Sequence, residues 1–224
     1  STAYRWLKEE GATRPAAETR VIQSLDRHSP KTAQEILDHA QARVYKGGDG
    51  KPPRVYINES AHHVITQAFA AKGNPAPGDW NGVRLSTSDA MEIGFFLGTI
   101  KLRQGVDSKG AMKSIAQALI DAALAGRSVV VVRIKDGGTP VKDTVRHELT
   151  HSQLGPYVKG LYSDAELKEG PVANAYQKAK ETFEKIGYKP SKDLVIEEIV
   201  TYSISGAEGR LGLSSEEAKS AVRD

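Results

Sequence analysis

His147-Glu148-Leu149-Thr150-His151 places two imidazoles four residues apart with a carboxylate beside the first. On a helix, residues i and i+4 share a face, so both rings can reach one metal ion. Zinc accepts neutral imidazole nitrogens in tetrahedral geometry, and a catalytic site keeps one position for water. The ion lowers the pKa of that water towards neutrality, which makes attack on a carbonyl possible. Glu148 is placed to take the water's proton and pass it to a leaving amine. These residues predict metal-assisted hydrolysis, with His147 and His151 as ligands, Glu148 as general base and Zn2+ as cofactor.

A third protein ligand is expected. The chain has no cysteine and no histidine after His151, so a downstream ligand is acidic or, less favourably, a tyrosine. A longer motif with Gly at 154 and His at 157 is absent, because those positions are Leu154 and Tyr157. The segment Leu194-Val195-Ile196-Glu197-Glu198-Ile199-Val200-Thr201-Tyr202 is an apolar helix with two adjacent carboxylates, costly to bury without partners. On a helical wheel Val195, Ile196, Ile199 and Tyr202 define its inward side. Glu198 lies at the edge of that side and is expected as the third ligand. Glu197 points nearly opposite and is expected to face solvent. Thr201 and Tyr202, one turn on, are placed to supply supporting hydrogen bonds. Tyr157, Tyr162, Tyr188 and Tyr202 all have the chemistry to stabilise an oxyanion, and the sequence does not choose among them.

A helix with His147, Glu148 and His151, then a later helix with Glu198 and the small residue Thr201 three positions on, resembles the gluzincin metallopeptidases of the zincin superfamily. Their pattern is H-E-x-x-H with a glutamate on a downstream helix. The resemblance covers about 70 residues of the chain, and its specific part is H-E-x-x-H. It implies zinc, hydrolysis of a peptide or protein substrate, and a substrate cleft beside an edge strand. The chain departs from the thermolysin-like form in its longer interval between His151 and Glu198, and in Tyr202 where an Asp would stand four residues after Glu198. A different class of function is a catalytically inactive, zincin-shaped binding or regulatory module of a larger protein. A third reading is an effector peptidase acting on a single protein.

The elements that must hold these residues follow from patterning. Residues 16–45 carry helical spacing, interrupted near Ser29-Pro30, and the glycine-rich stretch 47–53 is a loop. Arg54–Asn58 is a short strand, residues 60–72 a helix, and Lys72–Gly82 another loop. Between Val83 and Leu102, Ile93, Phe95, Phe96, Ile100 and Leu102 fit one or two strands. Residues 108–125 have helical spacing through Met112, Ile115, Leu119 and Leu124. Ser128–Ile134 is the strongest strand signal, apolar enough to be covered on both faces. It suits a central strand, although it and residues 93–102 are both candidates for the cleft-lining edge.

The motif helix should open at Thr139 as N-cap with Pro140 in its first position, and stop at Gly155-Pro156. Helices over 163–187, 191–205 and 214–222 complete the chain. The order predicts an α+β, zincin-like fold: one domain over 1–224, with a small mixed or antiparallel sheet in an α/β part (1–135) and a helical part (136–224) carrying both site helices. His62 and His63 are expected to be exposed. Gly206, Gly209 and Gly212 follow no strand, which argues against a phosphate cradle.

Composition excludes more than it asserts. Without cysteine, disulfide scaffolds, zinc ribbons and thiol nucleophiles are ruled out. A net charge of +3 from 31 basic and 28 acidic residues, with no basic block, gives no support to nucleic-acid binding. No apolar run has the length of a membrane span, so no membrane role is expected. The chain opens at Ser1 with nothing resembling a signal peptide, and is read as a mature fragment or part of a longer protein. Compartment and oligomeric state are left open.

Overall fold

β-branched residues have stiff χ1 preferences that suit a pleated strand, so the run Val129–Val132 favours a strand. The computed structural model describes residues 16–46, 52–73, 79–99, 111–135 and 141–222. In chain order its elements are α1 (Ala16–Gln23), α2 (Ala33–His39), β1 (Ala42–Tyr45), β2 (Arg54–Ile57), α3 (Glu59–Ala71), β3 (Gly82–Leu85), α4 (Thr87–Thr99), α5 (Ala111–Leu124) and β4 (Val129–Arg133). There follow α6 (Val141–Val158), α7 (Asp164–Glu169), α8 (Ala173–Lys185), α9 (Lys192–Ser205), a 3-10 turn (Glu208–Leu211) and α10 (Ser215–Lys219). Among the described residues, one compact unit runs to Glu148 and a second begins at Leu149.

The first unit is built on a mixed sheet of order β1-β2-β4-β3. β2 pairs with β1 antiparallel and with β4 parallel, while β3 pairs with β4 antiparallel. All five residues of β4 are buried, as its apolar continuity predicts for a central strand. One sheet face, with Val55, Ile57, Leu85, Val129 and Val131, shares a core with Ala61, Val64 and Ile65 of α3, Ile93 and Leu97 of α4, and Ile115 and Leu119 of α5. Burying each large aliphatic side chain contributes about 1.5–3 kcal/mol.

Two sequence expectations fail here. Residues 93–99 are not a strand but the end of α4 (100–102 lie outside the described residues). Ala90, Ile93 and Leu97 are buried at helical spacing, and Gly94 lets α5 approach so closely that a Cβ there would lie 2.8 Å from Ile120 Cγ1. Residues 42–45, read as helical, form the edge strand β1.

A polar cluster ties α3 to the ends of the strands. The Arg133 guanidinium donates to both Glu59 oxygens at 2.7 Å and to Asp79 at 2.6 Å. Burial opposes the Glu59 charge, but the Arg133 hydrogen bonds and charge more than offset it, leaving the Glu59 pKa below the ordinary value. Trp80 is held from α3 by two contacts: His62 Nε2 lies 2.9 Å from the Trp80 carbonyl, and the indole N–H donates to Thr66 at 2.8 Å. His62 is therefore buried, against expectation, and only His63 is exposed. Desolvation, followed by the Arg133 charge, pushes the His62 pKa down to about 4.

The second unit is all helical. Val158, Tyr162, Leu167, Ala179, Phe183, Val195, Ile199 and Ile204 are part of its core. Side chains of Ser163, Ser191 and Ser214 cap α7, α9 and α10. α6 does not stop at Gly155-Pro156 but continues to Val158, because a proline in the last turn removes one hydrogen bond where few remain. The helix expected over 163–187 is two, α7 and α8, divided at Gly170, where a Cβ would lie 2.6 Å from the Glu166 carbonyl oxygen. The expected α+β fold is present: a four-stranded mixed sheet packed on helices, then an all-helical C-terminal part. Thr139 and Pro140, expected to open this helix, lie outside the described residues.

Candidate metal centre

α6 displays His147 and His151 one turn apart, with Glu148 between them. His151 and Glu148 are buried, and His147 is half-buried. α9 supplies the carboxylates. Ser191 caps its start by accepting from the Leu194 N–H, and Val195, Ile196, Ile199, Val200 and Ile204 bury it on more than one side. That burial brings both Glu197 and Glu198 to His151.

The two glutamates take opposite ends of one imidazole. Glu198 Oε2 lies 3.2 Å from His151 Nε2, while Glu197 Oε1 lies 2.6 Å from His151 Nδ1. A carboxylate only accepts, so Nδ1 carries the hydrogen and donates to Glu197. In the neutral ring this leaves the Nε2 lone pair directed to the side where Glu198 stands. Glu197 is thus not solvated: it is buried and fixes the orientation and tautomer of His151.

One donor atom from each of His147, His151 and Glu198 lies within 4.8 Å of the others. Two imidazoles and a carboxylate are a donor set that zinc takes. In a tetrahedral site with bonds of about 2.0–2.1 Å, neighbouring donors are about 3.4 Å apart. The 3.2 Å between His151 Nε2 and Glu198 Oε2 matches that edge. The residues present therefore fit a metal ion, and this was the triad expected from sequence.

The sheet comes close to Glu148. Gly82, the first residue of β3, packs so closely on α6 that a Cβ would lie 2.7 Å from Thr144 Cγ2, 2.8 Å from Glu148 Cγ and 3.0 Å from Glu148 Oε1. The missing side chain lets the strand come close to the Glu148 carboxylate. Composition places Gly82 in a loop and helical spacing turns Glu197 to solvent, whereas Gly82 opens β3 and Glu197 pairs with His151. The one available signal for Glu197 was an acidic pair on a helix with apolar residues on several sides.

The tyrosines separate by environment. Tyr162 donates to the Ala221 carbonyl at 2.9 Å within the helical core. Tyr188 packs edge-on to Phe183, and Tyr157 is 79% exposed. Tyr202, on α9 one turn past Glu198, is half-buried. No helix among the described residues is long and apolar enough to cross a membrane. The chain matches no protein-family model, no curated protein and no solved structure.

Proposed function

We propose that the chain is a zinc-dependent peptide-bond hydrolase, with His147, His151 and Glu198 holding the metal and Glu148 managing the proton. The convergence of those three donors, with His151 oriented from behind by Glu197, supports this reading more than any other observation. Bound zinc would supply a Lewis acid that polarises a carbonyl and lowers the pKa of water. Glu148 accepts a proton on its carboxylate as water attacks, then delivers it to the departing amine nitrogen. Glu197 holds the His151 ring by its Nδ1–H and keeps Nε2 free of a proton. Gly82, the first residue of β3, lets the strand lie close against the Glu148 side chain.

The test is metal content of the purified chain beside His147→Ala and Glu198→Ala, followed by hydrolysis assays on Glu148→Gln. One zinc per chain, lost or weakened in both ligand variants, is expected. Glu148→Gln should keep its zinc and lose about 10²–10⁴-fold in rate. Hydrolysis undiminished in Glu148→Gln would refute the mechanism. A zinc-replete wild type that binds no metal would favour the catalytically inactive binding module.

A further inference from the structure

β3 is an outer strand of the sheet among the described residues, and its register assigns every residue a direction. Gly82 pairs with Val132, so Asn81 stands opposite Arg133. The Arg133 N–H donates to the Asn81 carbonyl at 2.8 Å, which makes that pair a hydrogen-bonded one. In an antiparallel ladder such pairs alternate, so Val83 and Leu85 also spend their backbone groups on β4. The N–H and C=O groups of Gly82 and Arg84 therefore point to the open edge. Side chains follow the same alternation. Val83 and Leu85 turn into the core shared with α3, α4 and α5. Gly82 and Arg84 turn to the opposite face, where Thr144 and Glu148 lie against Gly82.

Arg84 differs from the other arginines on β2 and β4. Arg133 is bound to Glu59 and Asp79, and Arg54 is buried 3.3 Å from Glu18. Arg84 is half-exposed, and among the described residues no carboxylate is paired with it. A guanidinium with no carboxylate partner among the described residues, on the face that carries Glu148 and beside backbone groups at the sheet edge, is suited to a carboxylate on whatever pairs with the strand.

Resting on the hydrolase reading, we infer that Arg84 is a specificity-determining residue that selects an acidic side chain in the bound peptide. An extended peptide added to the β3 edge hydrogen-bonds to Gly82 and Arg84. Its residue opposite Gly82 lies beside Glu148, where the strand has no side chain to obstruct it. Its residue opposite Arg84, two positions and about 7 Å along, projects to the same face and meets the guanidinium. The substrate class is a peptide with Asp or Glu two residues from the one beside Glu148. A peptide's terminal carboxylate has the same chemistry, so the test must separate the two.

Zinc-loaded Glu148→Gln protein is titrated with fluorescent positional-scanning peptide pools, each fixing one position as Glu, Gln or Lys. Each pool is made both C-terminally amidated and as the free acid. One position should favour Glu over Lys by about fivefold in the amidated pools. Adding Arg84→Glu should reverse that preference, Arg84→Gln should abolish it, and Arg84→Lys should keep it. The same position should be enriched in acidic residues among bonds cleaved by the wild type. Unchanged preferences in Arg84→Glu, or a preference found only in the free-acid pools, would overturn the inference. Charge-selective binding with no cleavage by the wild type would sink the hydrolase reading and leave the role of Arg84 in peptide binding intact.

Discussion

On the proposed zinc reading, removing the carboxylate behind His151 should weaken metal binding while leaving His147, His151 and Glu198 in place. Glu197 Oε1 accepts from His151 Nδ1 at 2.6 Å, and both side chains are at least nine-tenths buried. A hydrogen bond to a charged group at this distance is about twice as strong as a neutral one. Loss of such a supporting partner typically costs 10–100-fold in metal affinity, or about 1.4–2.8 kcal/mol at 1.4 kcal/mol per tenfold. Glu197→Gln keeps an acceptor for Nδ1–H and loses the charge, so it should fall near the tenfold end. Glu197→Ala leaves Nδ1 without this partner and frees the ring to turn or to move its proton to Nε2, so it should approach a hundredfold. Glu198→Gln, which weakens a ligand itself, should exceed both. Competition against a chromophoric chelator at one fixed neutral pH measures all three. Wild-type zinc affinity in Glu197→Ala would refute the reasoning, because Nδ1 would then have no influence on Nε2.

Three further perturbations follow from distances and pKa directions. Gly82→Ala would force Thr144 and Glu148 aside, costing about 1–3 kcal/mol of stability. If Glu148 is displaced by about 1 Å, kcat should fall about a hundredfold, read by a thermal melt beside a rate assay. Arg133→Met leaves the buried Glu59 carboxylate without its guanidinium and should destabilise by about 3–5 kcal/mol in urea unfolding. Acidification should weaken the fold through His62, whose pKa falls from 6.5 to about 4 on folding. The unfolded chain takes up that proton first, so stability is full above the unfolded value and declines as pH drops from 6.5 to about 4. The loss over that window is on the order of 3 kcal/mol. The Glu59 pKa, depressed by Arg133, adds a loss in the same direction at still lower pH. Urea midpoints of wild type and His62→Gln across that range should converge towards acid, and parallel curves would refute the assignment.

β2, β4, α3 and the two site helices were legible because burial and periodicity agree in them. Val129–Val132 is apolar without interruption and central, and His147 and His151 fall on one face of a long helix. α4 was misread because Ile93, Phe95 and Phe96 are strong strand formers. The helical repeat Ala90, Ile93, Leu97 was masked by Phe95, which is 60% exposed. β1 was missed because its four residues have no alternating burial. Glu197 was misplaced for a different reason. A helical wheel assumes one buried face, but α9 is buried at Glu197, Val200, Thr201 and Ile204 as well as on the side first assigned. Whether a second surface of a helix is covered depends on elements distant in the chain, which local periodicity does not encode.

The parallel pairing of β2 with β4 also bears on how the chain acquires its structure. Tyr56 finds its partner, Val132, 76 positions later in the chain. At about 5–20 residues per second, the β1–β2 pair leaves the ribosome some seconds before β4 exists. The residues of α3, α4 and α5 emerge in that interval, before the strand that covers the β2 edge. Such non-local pairing is slower to form than local contacts, because the intervening chain must be closed before the pairing stabilises it. Until it occurs, the nascent chain exposes Val55 and Ile57 beside an open strand edge, the kind of surface that other chains can join.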